Sequence, residues 1–549
     1  MRSKACYRTF RAGLSMLILT VATQVATAAQ PPQAGPDGQA PHLIRTGQRV
    51  QFVVDGRPFL MIGGELHNSS SSNLVYMEPI WQRMVDLNFN TVVTPLSWEL
   101  IEPAEGHFDF SLVDGLILAA RRHDLRLVFL WFGSWKNGMS SYLPLWVKQD
   151  YQRFPRVKIQ DGMTVEVLST LGRASWEADA RAFGALMAHI RDFDGRDHTV
   201  LMMQIENEVG VLGDSRDRSE AASQAFAGPV PQTLIDDLVA HRDELVPEVR
   251  ERWESGGFKT EGSWGTVFGE GAATDEIFMA WNYARYIDHV AAVGKQQYDI
   301  PMYVNAWLGG PPSKPGDYPS GGPLPHVMDI WLAGAPHVDL LAPDIYAPNF
   351  ADWCRRYTQR GNPLFIPEMR GDATGARNVF FAFGEHGALG TSPFAVDSIE
   401  DPATSPLSAS YAVLQQMAPL ILEHQGKGDM IGFLLDKDHP SVIEQLGGYE
   451  LEISLDSIFS YRAEVGGGLI IALGPDEFVG AGSGYRVSFK PLTPGPALAG
   501  IGSVEEGTYR DGKWIPGRRL NGDENDQGRK WRAAGRGPGI TRCRVYRYE

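Results

Sequence analysis

Between about residues 50 and 425 the chain alternates short apolar runs with longer segments whose apolar residues recur every three or four positions. The short runs are "FLMIGGELH" (59–67), "TVVTPLSW" (91–98), "RLVFLWFGSW" (126–135), "TVLMMQIEN" (199–207), "PMYVNAW" (301–307), "VDLLAPDIY" (338–346), "PLFIPEM" (363–369) and "GALGTSPFAVD" (387–397). Several are unbroken in hydrophobicity, as strands are when both faces are covered. Segments between them, such as "FSLVDGLILAARRHD" and "ASWEADARAFGALMAHIRDF", carry the helical period. Eight such units predict an α/β fold, a (β/α)8 TIM barrel over residues 46–427.

The stretch from residue 211 to about 275 is too long for an ordinary loop after strand four. Within it "PQTLIDDLVAHRDEL" reads as helix and "GDSRDRSEAASQAFAGPVP" as a loop overhanging the barrel mouth. The charge run "DSRDRS" (214–219) reads as a solvated face. Past residue 428 the period changes. "YELEISL", "GGLIIALG", "YRVSFKPL" and "RCRVYRY" alternate or run short between Gly, Pro and Asp, which predicts a C-terminal all-β, sandwich-like domain over 428–549.

At the N-terminus a basic stretch (Arg2, Lys4, Arg8, Arg11) precedes an apolar run and Ala26-Thr27-Ala28. This is the pattern of a cleaved signal peptide, residues 1–28, followed by a Pro/Gly-rich linker over 29–45. The apolar run is shorter than the roughly 20 residues of a spanning helix, so a secreted protein, periplasmic or extracellular, is expected, with no membrane segment in the mature form. Without the leader's four basic residues the net charge falls from −16 to −20. Such acidity argues against nucleic acid or anionic membranes as partners and suits a neutral substrate. Beyond Cys6 in the leader only Cys354 and Cys543 remain, too few for a disulfide framework. No His/Cys/Asp cluster has ligand spacing, so neither metal nor cofactor is expected.

In a barrel of this kind chemistry sits where strands end. Here the strand ends carry Glu65, His67 and Asn68; Trp98 and Glu99; Trp135, Lys136 and Asn137; Asn207 and Glu208; Asn305 and Trp307; Asp344 and Tyr346; and Glu368. Glu208 and Glu368 are the best-placed carboxylate pair for glycosidic cleavage, which needs one acid and one base or nucleophile. Trp131, Trp135 and Trp307 are candidate flat faces for a sugar ring. Glu206 is expected to share a face with Gln204 and Glu208 by strand alternation, as a supporting carboxylate paired with Lys or Arg.

"QIENEVG" (204–210) resembles the acid/base segment of glycoside hydrolase family 35, the β-galactosidases, in the clan of retaining barrel glycosidases. "WELIEPAEGHFDF" (98–110), "LPLW" (143–146) and "FGEGAATDEIFMAWNYARYIDHVA" (268–291) resemble further segments of that family and its family 42 relatives. The resemblance implies that Glu208 is the general acid/base and Glu368, in "IPEMRGD", the nucleophile. It further implies that Asn207 bonds the sugar 2-hydroxyl and that Tyr346 positions Glu368. Family members carry Gly-Pro-Tyr and a Glu on the third strand where this chain has "WFGSWKNG", so Asn137 stands about where their Glu is. The implied activity is removal of terminal β-galactosyl residues from an oligosaccharide, with plant xyloglucan side chains as the favoured source. Glu65, His67, Asn137, Trp135, Asn305 and Trp307 would complete the sugar site. Two alternatives stay open: another glycosidase of the clan, a β-arabinosidase or β-glucanase, and a non-catalytic carbohydrate-binding barrel.

Overall fold

The computed structural model describes residues 39–47, 49–310, 312–458, 461–533 and 537–549. The expected signal peptide, and the linker up to residue 38, lie outside the described residues. Within the expected linker a strand already begins at His42. Strands His42–Thr46, Arg49–Val54 and Arg57–Pro58 form a small antiparallel sheet. Its Val50, Phe52 and Val54 share one buried cluster with Met61, Val93, Val128, Leu340 and Phe365, which lie near the starts of barrel strands. The sheet therefore plugs the end of the barrel opposite the strand ends.

Eight parallel strands close into the predicted barrel. They are β1 (Met61–Glu65), β2 (Thr91–Ser97), β3 (Arg126–Lys136), β4 (Val200–Asn207), β5 (Met302–Trp307), β6 (Leu340–Ile345), β7 (Phe365–Met369) and β8 (Gly390–Pro393). The last is the shortest, because the apolar run it was read from turns at Val396–Ser398 into a single 3-10 turn. Between strands and helices lies a second, larger core that includes Trp81, Trp98, Trp131 and Trp331. Helices α1 (Arg173–Asp194) and α2 (Ala272–Gln297) pack together across β4.

The long connection between β4 and α2 holds helices Glu220–Ala227, Gln232–Ala240, Pro247–Ser255 and Trp264–Phe268. The first was expected to be loop. Nor is the preceding charge run solvated: Asp214 and Asp217 are buried. Arg218 reaches Asp214 and Asp275 at 2.8 Å each, and Arg216 reaches Asp275 at 3.1 Å. Asp275 sits in the first turn of α2, so these pairs fasten the insertion to the barrel's own helix.

Helices α3 (Ala373–His386) and α4 (Pro406–His424) follow β7 and β8. The C-terminal domain is the expected pair of antiparallel sheets. One orders strands 430–435, 466–474, 477–483, 539–548, 498–510 and 513–520; the other orders 441–446, 449–455, 485–491 and 531–532. Between them Phe433, Leu451, Phe478, Tyr485, Val487 and Trp531 form one buried cluster. The first sheet also lies against α3, where a Cβ on Gly384 would come within 2.7 Å of Leu469 Cβ and 2.8 Å of the Ile431 carbonyl. Cys354 and Cys543 are both buried and free. Among the described residues no helix is long and apolar enough to cross a membrane.

Candidate active site

At the C-terminal mouth a cleft of about 390 Å³ is lined by Lys136, Asn137, Glu208, Trp307, Tyr346 and Glu368, with Asn68, Asp344 and Phe394 among its other walls. That size suits a small ligand. Glu208, Asp344 and Glu368 each bring one carboxylate oxygen within 4.8 Å of the others. The C-terminal ends of β4, β6 and β7 thus bring these carboxylates together at the barrel mouth.

The backbone at this point departs from plain strand. Glu206 and Glu208 have φ of +60° and +46°, and Asn137, across from them, +52°. Non-glycine residues rarely hold such angles, and those that do concentrate at functional sites. The conformations are fixed by neighbours. Asn137 N–H donates to the Asn207 carbonyl at 3.1 Å and Gly138 N–H to the Glu208 carbonyl at 3.0 Å. On β3 the pairing to β4 jumps from Trp131 to Lys136, a bulge that leaves Trp135 N–H without a ladder partner. Glu206 supplies one: its Oε2 accepts that N–H at 2.6 Å.

Glu206 therefore does not share a face with Glu208. Its left-handed backbone breaks the alternation, and its carboxyl lies next to Asp179 of α1, behind the strand. Asp179 accepts from Trp131 Nε1 (2.8 Å), Ser134 Oγ (2.6 Å) and Tyr286 (3.2 Å). No lysine or arginine forms an ion pair with Glu206 among the described residues. Burial, then the Asp179 charge, push Glu206 well above the usual carboxylate range, so it holds a proton instead of a cation. Its neighbour is thus a second carboxyl, not the expected Lys or Arg.

Glu368 is the acceptor of three converging donors: Tyr346 OH (3.0 Å), Asn207 Nδ2 (3.3 Å) and Asn305 Nδ2 (3.4 Å). Asn207 Oδ1 in turn accepts from Lys136 Nζ at 3.0 Å. Asn305 also receives the Glu208 backbone N–H (3.0 Å) and donates to Asp344 (2.8 Å). Asn137 Nδ2 donates to Glu208 Oε2 at 2.5 Å. One lysine faces four carboxyls here, those of Glu65, Glu208, Asp344 and Glu368. They cannot all ionise together. Burial, then the Glu368 charge, push Glu208 up to about 7, with Lys136 pulling the other way. The same two causes push Asp344 and Glu65 well above the usual carboxylate range.

Three close carboxylates also raise the question of a divalent cation, which takes oxygen ligands. A cation site needs its ligands deprotonated. Here two of the three are pushed toward the protonated form, and Lys136 already supplies positive charge.

Of the sequence-predicted residues, Glu208, Glu368, Tyr346, Asn137 and Trp307 line the cleft. Asn207 and Asn305 are buried immediately behind it, and Glu65 lies fully buried beneath, with neither carboxyl oxygen hydrogen-bonded. Two expectations are corrected. Trp135 is 1 % exposed and faces the helices, packed on Tyr283 and Tyr286 with its Nε1 on the Leu168 carbonyl, because it sits in the β3 bulge. His67 turns away from the cleft to Ser398 Oγ (2.6 Å), held there by its own N–H on Asp397. Trp131 is likewise buried, so of the three candidate tryptophans Trp307, 41 % exposed, is the one that lines the cleft. Sequence reasoning noted Asp344, Lys136 and Asn68 only as strand-end residues. Charge balance was the available signal for Lys136, since a mouth with several carboxylates requires a cation.

Residues 73–255 match the glycoside hydrolase family 42 model, described as beta-galactosidase. The stretch carries β2, β3, β4 and Glu208, and the matching model is that of family 42, not family 35. Residues 407–532 match a domain of unknown function (DUF5597). A beta-galactosidase of Xanthomonas manihotis is 33% identical over 101 residues, 18% of this chain and 16% of that protein. The human beta-galactosidase-1-like protein 3 is 28% identical over 168 residues, 30% of this chain and 23% of that protein. The matched stretches thus span less than a quarter of either curated relative. Among solved structures, beta-galactosidase from Bacillus circulans sp. alkalophilus aligns with a TM-score of 0.47 at 13% identity, covering 67% of this chain and 58% of that one. The enzyme from the psychrophilic Marinomonas ef1 gives 0.46 at 12%, covering 66% and 60%.

Proposed function

We propose that the chain is a retaining exo-β-galactosidase, in which Glu208 is the acid/base and Glu368 the nucleophile. The observation that carries this is the spacing of the two carboxyls, with oxygens within 4.8 Å. Retaining glycosidases hold their pair about 5–5.5 Å apart, whereas inverting ones leave about 6.5–9.5 Å for a water. The match of residues 73–255 to a beta-galactosidase model supports the choice of sugar.

In the first step Glu368 attacks the anomeric carbon. The glycosidic bond breaks with its electron pair on the leaving oxygen, which takes the Glu208 proton. In the second step Glu208 accepts a proton from water as the water oxygen attacks the same carbon, and Glu368 leaves as carboxylate. Tyr346, Asn207 and Asn305 orient the nucleophile. Asn137 aims Glu208 through a 2.5 Å hydrogen bond. Glu208's titration near 7 suits an acid that must be protonated before the first step and ionised before the second.

The natural substrate we propose is a galactosylated plant xyloglucan oligosaccharide, reached by secretion through the N-terminal leader. Proton NMR of an aryl β-galactoside digest tests the reaction: β-galactose is expected as the first product, before mutarotation. α-Galactose first, or no hydrolysis of β-galactosides in a panel including β-arabinosides and β-glucans, would end the assignment. Trp307→Ala is expected to raise KM roughly tenfold with a smaller change in kcat, the loss of one aromatic face. Steady-state kinetics with unchanged KM would remove Trp307 from the sugar site.

A further inference from the structure

A second cavity, of about 580 Å³, opens beside the cleft between helix Pro247–Ser255, the start of α2 and the segment after β5. Trp307 and Leu308 line the cleft, while the next residues, Gly309 and Gly310, line this cavity. All four are at least partly exposed, so they form a continuous rim. Consecutive Cα atoms stand about 3.8 Å apart, so three steps bring the two sites within about 11 Å of each other along that rim. That is the reach of about two linked sugars.

The cavity holds polar groups whose bonding is incomplete. Glu276, 2 % exposed, accepts from Tyr318 OH (3.2 Å) and meets His326 Nε2 (2.9 Å), both through Oε2. Its Oε1 has no partner, although buried polar atoms normally have one. Arg252 forms no ion pair among the described residues, and Arg356 is paired with Glu248 at 2.7 Å. Two arginines and a histidine against Glu248, Glu251 and Glu276 leave little net charge. Donors and acceptors are instead interspersed with the apolar surfaces of Ile277, Val327 and Pro315. An anion would meet three carboxylates here. A neutral polyol finds acceptors for its hydroxyls, donors for its oxygens and apolar patches for its C–H faces.

We infer that this cavity is a binding site for the leaving-group sugars of an oligosaccharide whose terminal β-galactosyl unit occupies the cleft. The inference rests on the proposed galactosidase reading and extends it from the scissile sugar to the rest of the substrate. Arg252 and His326 hold hydroxyls, and the bare backbone of Gly309 and Gly310 lets the chain pass.

The test compares kcat/KM on 4-nitrophenyl β-galactoside with that on a galactosylated xyloglucan oligosaccharide, in wild type, Arg252→Ala and Gly310→Trp. Gly310 has no left-handed backbone and its nearest neighbour, Trp353 Cζ2, is 3.8 Å from a built Cβ, so a tryptophan at this rim position is placed without backbone strain. Wild type is expected to favour the oligosaccharide at least tenfold. Each variant should lose most of that preference through KM, with the aryl substrate within twofold of wild type. No preference in wild type, or a preference kept in both variants, overturns the inference. If wild type cleaves neither substrate, the galactosidase reading fails separately, and calorimetry with the galactose-free xyloglucan oligosaccharide decides. Binding that is lost in both variants supports the site; absence of binding, or binding that both variants retain, overturns it.

Discussion

Glu368→Ala is expected to lower turnover of an activated aryl β-galactoside on the order of 10⁴-fold or more, with the thermal midpoint held or raised. Glu208→Ala is expected to lose comparably on substrates with poor leaving groups, and much less where the leaving group needs no proton. The two losses differ in kind. Without Glu208 the glycosyl-enzyme still forms on an activated substrate, and azide, needing no general base, should attack it and restore rate, giving β-galactosyl azide. Without Glu368 there is no covalent intermediate, so no β-azide can arise from that variant. Mass spectrometry and NMR of the azide adducts read the distinction directly. Wild-type-like turnover in either variant, or β-azide from Glu368→Ala, would remove the assigned roles.

The second large effect concerns stability. Glu208 titrates near 7 in the fold against an ordinary value of 4.5. As pH rises from about 4.5, an unfolded chain gives up this proton while the native state keeps it, so native stability falls until about pH 7 and is flat above. The loss is on the order of 3 kcal/mol. Glu208→Gln keeps the neutral shape and carries no charge, so it should be more stable than wild type by about that amount at pH 8, with little difference at pH 4.5. Denaturant midpoints at the two pH values measure it, and an equal difference at both would sink the argument. The same proton sets activity, because the first step needs Glu208 protonated: the alkaline limb of kcat/KM should fall near 7. Glu65, Asp344 and Glu368 face Glu208 with carboxyls, and among the described residues Lys136 is the opposing charge. Lys136→Met should therefore move the alkaline limb upward in pH, beside any loss of rate from the broken bond to Asn207.

Most of the architecture could be read from the letters because parallel barrel strands are buried on both faces and leave unbroken apolar runs. Seven of the eight strands fall inside their runs, and β3 overruns its own by one residue, Lys136. The carboxylate pair was legible for a related reason, since a strand's end fixes how high a residue stands in the barrel. It does not fix which way the side chain points. His67 and Trp135 stand at the right height but point away, one through a bond to Ser398 and the other through the β3 bulge. Glu206 defeated the rule of alternation because a single left-handed φ reverses it, and no pattern in "QIENEVG" announces that angle. "DSRDRS" looked solvated because its partner Asp275 lies some sixty positions away and comes near only in the fold.

The contact between α3 and the C-terminal sheet bears on how such a chain could be dissected or recombined. α3 starts at Ala373, a few residues after Glu368, and its Gly384 touches Leu469 and the Ile431 backbone. The DUF5597 match starts at residue 407, inside α4, a helix that packs on α3. That boundary thus falls within the wall of the barrel instead of between the two domains. A swap of β domains among relatives would have to carry α4 along and preserve the glycine. Otherwise the seam that fails lies on the helix directly behind Glu368.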